Sequence, residues 1–160
     1  VADHHTYFVG GTIWGWDVWV HNASKNYVSG AYDELGKLDG SQNHHLLQQK
    51  AFPDPINLDS GPVVRVTGRT SKEGTQHNIL HRVLEGFWDP HRVNRTTPLI
   101  SEYLEAANRA AREAGFGAKE AYQMTSSARR FLSRINLEVD DLVPQVPRQF
   151  PPQFLPGGSL

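Results

Sequence analysis

Gly74-Thr75-Gln76-His77-Asn78-Ile79-Leu80-His81-Arg82-Val83-Leu84-Glu85-Gly86-Phe87-Trp88-Asp89 is the stretch from which the rest of the chain can be read. Ile79, Leu80, Val83, Leu84 and Phe87 recur at helical spacing, which predicts a helix from Thr75 to Trp88 with one apolar side. His77 and His81 stand four residues apart in it, so both imidazoles leave the same face. That is how a helix offers two nitrogens to one metal ion. A plainer alternative has His81 bordering the buried face beside Leu80 and Leu84.

Working upstream, Gly61 to Thr67 reads as a strand, and a turn-rich loop from Gly68 to Gly74 joins it to the helix. Before the strand lies a second histidine pair, His44-His45, followed by Leu46-Leu47. Residues 46–52 are expected to make one or two helical turns, ended by Pro53 and Pro55. Neighbours in extended backbone point to opposite sides, so the two histidines cannot play the same role there. One can ligate a metal while the other takes a proton from water. Three histidine ligands and one histidine base are a sensible inventory for metal-assisted phosphodiester hydrolysis. Adjacent histidines in a surface loop are also often solvated and idle. His4, His5 and His91 have no partner at ligand spacing.

The outer parts of the chain are plainer. Two short strands are expected within residues 6–21, broken by Gly10-Gly11. Residues 23–43 read as loop, with Tyr27, Tyr32 and Leu35 as anchors. Downstream, Thr97 is the expected N-cap and Pro98 the first residue of a second helix that Gly115 stops. A third helix is expected from Ala118 to Ile135, with Ala121, Met124, Ala128, Phe131, Leu132 and Ile135 on one face. Residues 144–157 hold five of the ten prolines and are expected to be extended and exposed.

Composition narrows the chemistry. The chain of 160 residues has no cysteine, which removes disulfides, thiol nucleophiles and thiolate metal sites. Any metal is left to His, Asp, Glu or Asn. Net charge is −1, but residues 1–60 carry 3 basic and 7 acidic groups while residues 61–160 carry 13 and 10. Arg65, Arg69, Lys72, Arg82, Arg92 and Arg95 flank the histidines, and Arg129, Arg130 and Arg134 lie on the third helix. They can form a phosphate track or a solvated face. No apolar run approaches the ~18 residues of a membrane span, so no membrane partner is expected. Val1-Ala2-Asp3 begins no signal peptide, and the missing start Met suggests a fragment or processed product.

Gln42-Asn43-His44-His45-Leu46, the strand at 61–67 and the His77-x-x-x-His81-x-x-Leu84-x-x-Phe87-Trp88-Asp89 helix resemble toxin nucleases of the HNH/endonuclease VII superfamily. The resemblance covers roughly residues 32–148. It implies an α+β fold whose core is a ββα-metal (His-Me finger) unit, with additional C-terminal helices and an N-terminal β-hairpin. It implies His44, His77 and His81 as ligands of a divalent ion (Mg, Mn, Zn or Ni) and His45 as general base. Many such enzymes orient the base with an asparagine; Asn43, Asn57 and Asn78 are all available here. The implied function is a metal-dependent endonuclease toxin, a DNase, secreted by one bacterium and acting in the cytoplasm of a competitor. Its implied partners are DNA, a cognate immunity protein and the rest of a larger toxin polypeptide. An RNase of the same fold, or a non-enzymatic domain with a structural His-bound metal, are the alternatives.

His5 to Gly10, followed by Val18-Trp19-Val20-His21-Asn22-Ala23, is similar to the end of Hint (intein-like) domains. This second resemblance implies self-cleavage after Asn22 by side-chain cyclisation, with His21 as proton donor. The expected organisation is therefore a Hint-like tail over 1–22, a nuclease domain over 23–143 and a Pro-rich tail over 144–160.

Overall fold

The computed structural model describes residues 7–10, 17–20, 28–32, 34–36, 39–53, 56 and 58–148. It is an α+β fold with a three-stranded antiparallel sheet and three helices. Two N-terminal strands, β1 (Tyr7–Gly10) and β2 (Asp17–Val20), pair antiparallel with Tyr7 opposite Val20. This matches the hairpin expected from their β-branched and aromatic residues.

The larger sheet runs β3 (Ser29–Ala31), β5 (Pro62–Thr67), β4 (Ser41–His45) in spatial order, antiparallel throughout. A 3₁₀ turn at Leu58–Ser60 precedes β5. The central strand is the apolar one: Val63, Val64 and Val66 are buried. β3, and β4 as far as Asn43, fall in the segment expected to be loop. β4 reads Ser-Gln-Asn-His-His and offers no apolar alternation. It becomes a strand because β5 supplies a ladder, with His44 opposite Val64 and His45 opposite Val63.

Residues 46–52 are a tight turn and not a helix. The amides of Ala51 and Phe52 both donate to the Gln48 carbonyl, at 2.8 and 3.0 Å. These bonds close a single turn that does not propagate into a helix, and burial of Leu46, Leu47, Ala51 and Phe52 gives the segment its packing.

Helix α1 (Gln76–Asn94) starts where expected: the Thr75 hydroxyl accepts from the Asn78 amide at 3.3 Å. It runs six residues beyond the expected end, through Pro90. Arg92 spans that break by pairing with Glu85 at 2.7 Å and Asp89 at 2.8 Å. Helix α2 (Ile100–Glu113) begins later than Thr97-Pro98 predicts. Residues 98–101 instead meet the segment after the third helix: Val143 donates to the Pro98 carbonyl, Ile100 to Asp141 and Ser101 to Val139. Glu102 then caps the helix by accepting from the Leu99 amide at 2.7 Å. Helix α3 (Ala118–Arg134) buries Ala121, Met124, Ala128, Phe131 and Leu132, the face expected from their spacing.

The C-terminal segment is extended, but through residue 147 it is not a free tail. Val143 and Pro147 are buried, and Gln145 donates to the Ala51 carbonyl at 3.1 Å. Arg92 Nε donates to the Pro147 carbonyl at 2.8 Å. The prolines limit backbone freedom in this segment and so lower the entropy lost on docking. Trp88 and Tyr103 stack at the centre of the core, with ring centroids 5.6 Å apart. Among the described residues, no helix is long and apolar enough to cross a membrane.

Candidate metal centre

β4 and α1 bring three histidines together. His44 sits near the end of β4, and His77 and His81 occupy the first two turns of α1. Their ring centroids lie 4.9 to 5.2 Å apart. One ligand nitrogen from each can be chosen so that all lie within 4.8 Å of one another. Nitrogens bound to one cation at about 2 Å stand roughly 3–4 Å apart, so rotamer shifts would draw the three rings in to share an ion. His44 is 6% exposed.

The electrostatics favour the neutral, ligating form. Burial, and then the neighbouring charges of His81, His77 and His45, hold His44 well below the ordinary imidazole range. Burial lowers His77 too, opposed by its hydrogen bond to the Gly68 backbone. For His81, burial, His77 and Lys50 together bring the pKa down to about 4. Free lone pairs at neutral pH are what metal binding requires.

Two backbone and side-chain devices aim these rings. The His77 Nδ1–H donates to Gln42 Oε1 at 2.5 Å, leaving Nε2 as the ligand nitrogen. Gly68, at φ +75°, lets the chain pass close under the start of α1; a Cβ there would sit 2.2 Å from the Thr75 methyl.

The centre opens into a cleft of about 240 Å³, which His45, Gln49, Lys50, Glu85 and Pro147 also line. His45 therefore shares the cleft with His44 although the two are adjacent in the strand. Its ring stacks on Tyr32, centroids 4.6 Å apart and planes 19° from parallel. Burial lowers its pKa, and the negative charge of Asp59 partly opposes this.

Of the three candidate asparagines, the two among the described residues bond backbone carbonyls. Asn43 donates to the Gly36 carbonyl at 3.0 Å and Asn78 to that of Thr70 at 2.7 Å. Asn57 lies outside the described residues, as do His21 and Asn22. His91 bonds Thr96 and packs on Phe87, away from the centre.

Sequence reading missed Gln42, Tyr32, Lys50 and Glu85. Only Glu85 had a signal: it continues the His77, His81 spacing by another four residues on α1. It is 8% exposed; one carboxylate oxygen bonds Arg92, and the other is buried without a hydrogen-bond partner. Arg65 and Arg92 face inward: Arg65 donates to the Leu35 carbonyl, while Arg92 ties α1 to Pro147.

No protein-family model matches the chain, no curated protein matches it, and no solved structure matches it.

Proposed function

We propose that this chain is a metal-dependent phosphodiester hydrolase, with β4, β5 and α1 acting as a ββα-metal finger. The observation that carries this reading is the three-imidazole cluster, half enclosed at the floor of a cleft that holds a fourth imidazole. Three protein ligands with a side left open are the pattern of a catalytic site; structural sites close with four. The all-imidazole donor set fits zinc or nickel, since magnesium and manganese prefer oxygen ligands. His44, His77 and His81 would hold the ion.

A bound divalent ion supplies charge neutralisation to a phosphate oxygen and to the leaving oxygen. His45 does the proton work. Its lowered pKa leaves it neutral at pH 7, able to accept the proton of an attacking water. Tyr32 holds the ring by stacking, and the Asp59 charge stabilises the imidazolium that forms. Such a base contributes ~10²–10⁴ in rate.

DNA is the substrate we favour, in a secreted antibacterial toxin held in check by an immunity protein. The support is the toxin-nuclease resemblance of the two histidine motifs, whose histidines meet in one site. Incubating supercoiled plasmid and total RNA in parallel with zinc- or nickel-loaded protein tests it. Nicking of plasmid that stops with chelator and with His45→Ala supports the reading. Digestion of RNA alone moves the substrate to RNA. No hydrolysis of either, with metal bound, leaves a structural metal site.

A further inference from the structure

We propose that Glu85 is a positioning residue of the metal centre: its second carboxylate oxygen accepts a hydrogen bond from a water on the open side of the three-histidine site. The inference rests on the metal site of the hydrolase reading and goes further by naming what holds the water.

Glu85 stands four residues beyond His81 and eight beyond His77 on α1, so the three follow one another along one side of the helix. Each Cα–Cβ bond leans toward the helix N-terminus, which carries the Glu85 side chain back toward the histidines. Glu85 lines the same cleft as His44, His77 and His81. It does not join them as a direct ligand: among the described residues, the set with ligand atoms within 4.8 Å of one another is His44, His77 and His81. A carboxylate set back from the ligands reaches an ion through water.

The way the carboxylate is held decides which oxygen is available. Arg92 donates to Glu85 Oε2 at 2.7 Å, to Asp89 at 2.8 Å and, through Nε, to the Pro147 carbonyl at 2.8 Å. A planar guanidinium bonded on three sides is a fixed clamp. An arginine that served only to match a buried carboxylate would bind both oxygens, the bidentate geometry of the strongest pairs. Arg92 instead spends its other donors on Asp89 and Pro147. Glu85 Oε1 is left buried with no hydrogen-bond partner, in a side chain that is almost wholly enclosed. A buried polar atom of this kind calls for an ordered water or ion to serve it. An ionised carboxylate oxygen only accepts, so the group that serves it must donate, which admits water and turns away a phosphate oxygen.

The test compares wild type with Glu85→Gln, which keeps the shape and can still accept from Arg92. Asp89→Asn, altered at the exposed end of the same clamp, is the control. Zinc affinity is measured by chelator competition. Cobalt-loaded protein is titrated with base while its visible spectrum is recorded, since loss of a proton from water on the ion changes the band. Glu85→Gln is expected to bind zinc roughly 10–100-fold more weakly. Its spectral midpoint is expected at lower pH than that of wild type, because a carboxylate beside the water disfavours hydroxide. His45, Lys50 and Arg92, the other ionisable groups around Glu85 and the cleft, and Asp59 beside His45 are the same in both proteins. Glu85→Asp keeps the charge but draws the oxygen back by one methylene, so it is expected to move both readings the same way by less. It carries the test if Glu85→Gln does not fold. Asp89→Asn is expected to match wild type. An unmoved midpoint in the Glu85 variants overturns the proposal, whatever happens to zinc affinity. An equal shift in Asp89→Asn also overturns it, by assigning the effect to the clamp. A wild type that binds no zinc removes it together with the metal site. Neither reading needs substrate, so both shifts in a protein that cuts neither DNA nor RNA keep the Glu85 role and remove the hydrolase reading.

Discussion

The Gln42 side-chain carbonyl accepts the Nδ1 proton of His77, joining a strand residue to a helix residue across the centre. The bond fixes the tautomer and plane of a ligand that is otherwise only partly covered. Gln42→Ala is therefore expected to weaken zinc affinity by roughly 10–100-fold while leaving the fold intact. Calorimetric titration reads this; an unchanged affinity would show that His77 is oriented by packing alone.

Ligands and base separate by readout. His45→Ala should retain zinc binding and lose ~10²–10⁴ in cleavage rate. His77→Ala and His81→Ala should each lose zinc affinity, and the double variant should be little less active than either single one, because both act through one ion. A His45→Ala protein that cuts at the wild-type rate sinks the base assignment.

Asp59 opposes the burial that lowers the His45 pKa. Asp59→Asn removes that opposition, so the His45 pKa should fall further. The acid limb of the rate profile should then shift to lower pH, while zinc affinity stays as it was. A limb that does not move would separate Asp59 from the base.

Metal-free protein should be sensitive to mild acid. His81 titrates near 4 in the fold against 6.5 for a free imidazole, so between these values the unfolded chain binds more protons. Stability falls as pH drops from 6.5 toward 4 and levels off below, with a loss of roughly 3 kcal/mol from this residue. His44 and His77, also lowered, add to it in the same direction. Urea unfolding at stepped pH, with and without zinc, measures the slope; a flat metal-free profile would contradict the burial of the cluster.

Tyr103→Phe deletes one hydroxyl that serves two backbone groups, the Gln48 amide and the Leu46 carbonyl. Leaving these without a partner should cost about 1–3 kcal/mol. The turn carrying Lys50 should also loosen, so amide exchange at residues 48–52 should quicken more than in α3. Uniform destabilisation without that local signature would mean the hydroxyl supports the core and not the turn.

The α1 and α3 faces were legible in the sequence because apolar spacing along a helix is local and does not depend on what the helix meets. The same holds for His77 and His81: four residues on one helix decide that both nitrogens leave one side. β5 was equally plain, carrying Val63, Val64 and Val66 in one short run, and it is central in the sheet. β4 was not, since Ser-Gln-Asn-His-His has no pattern of its own and is a strand only beside β5. The late start of α2 and the docking of residues 143–147 were hidden for a similar reason. Each depends on hydrogen bonds between segments about forty residues or more apart, such as Val143 to Pro98 and Gln145 to Ala51. Sequence thus determined which residues could ligate. Tertiary structure decided that His44 joins them, that His45 shares their cleft, and that Gln42, Tyr32, Lys50 and Glu85 surround it. Distance between elements, unlike periodicity within one, is set only when the core has packed.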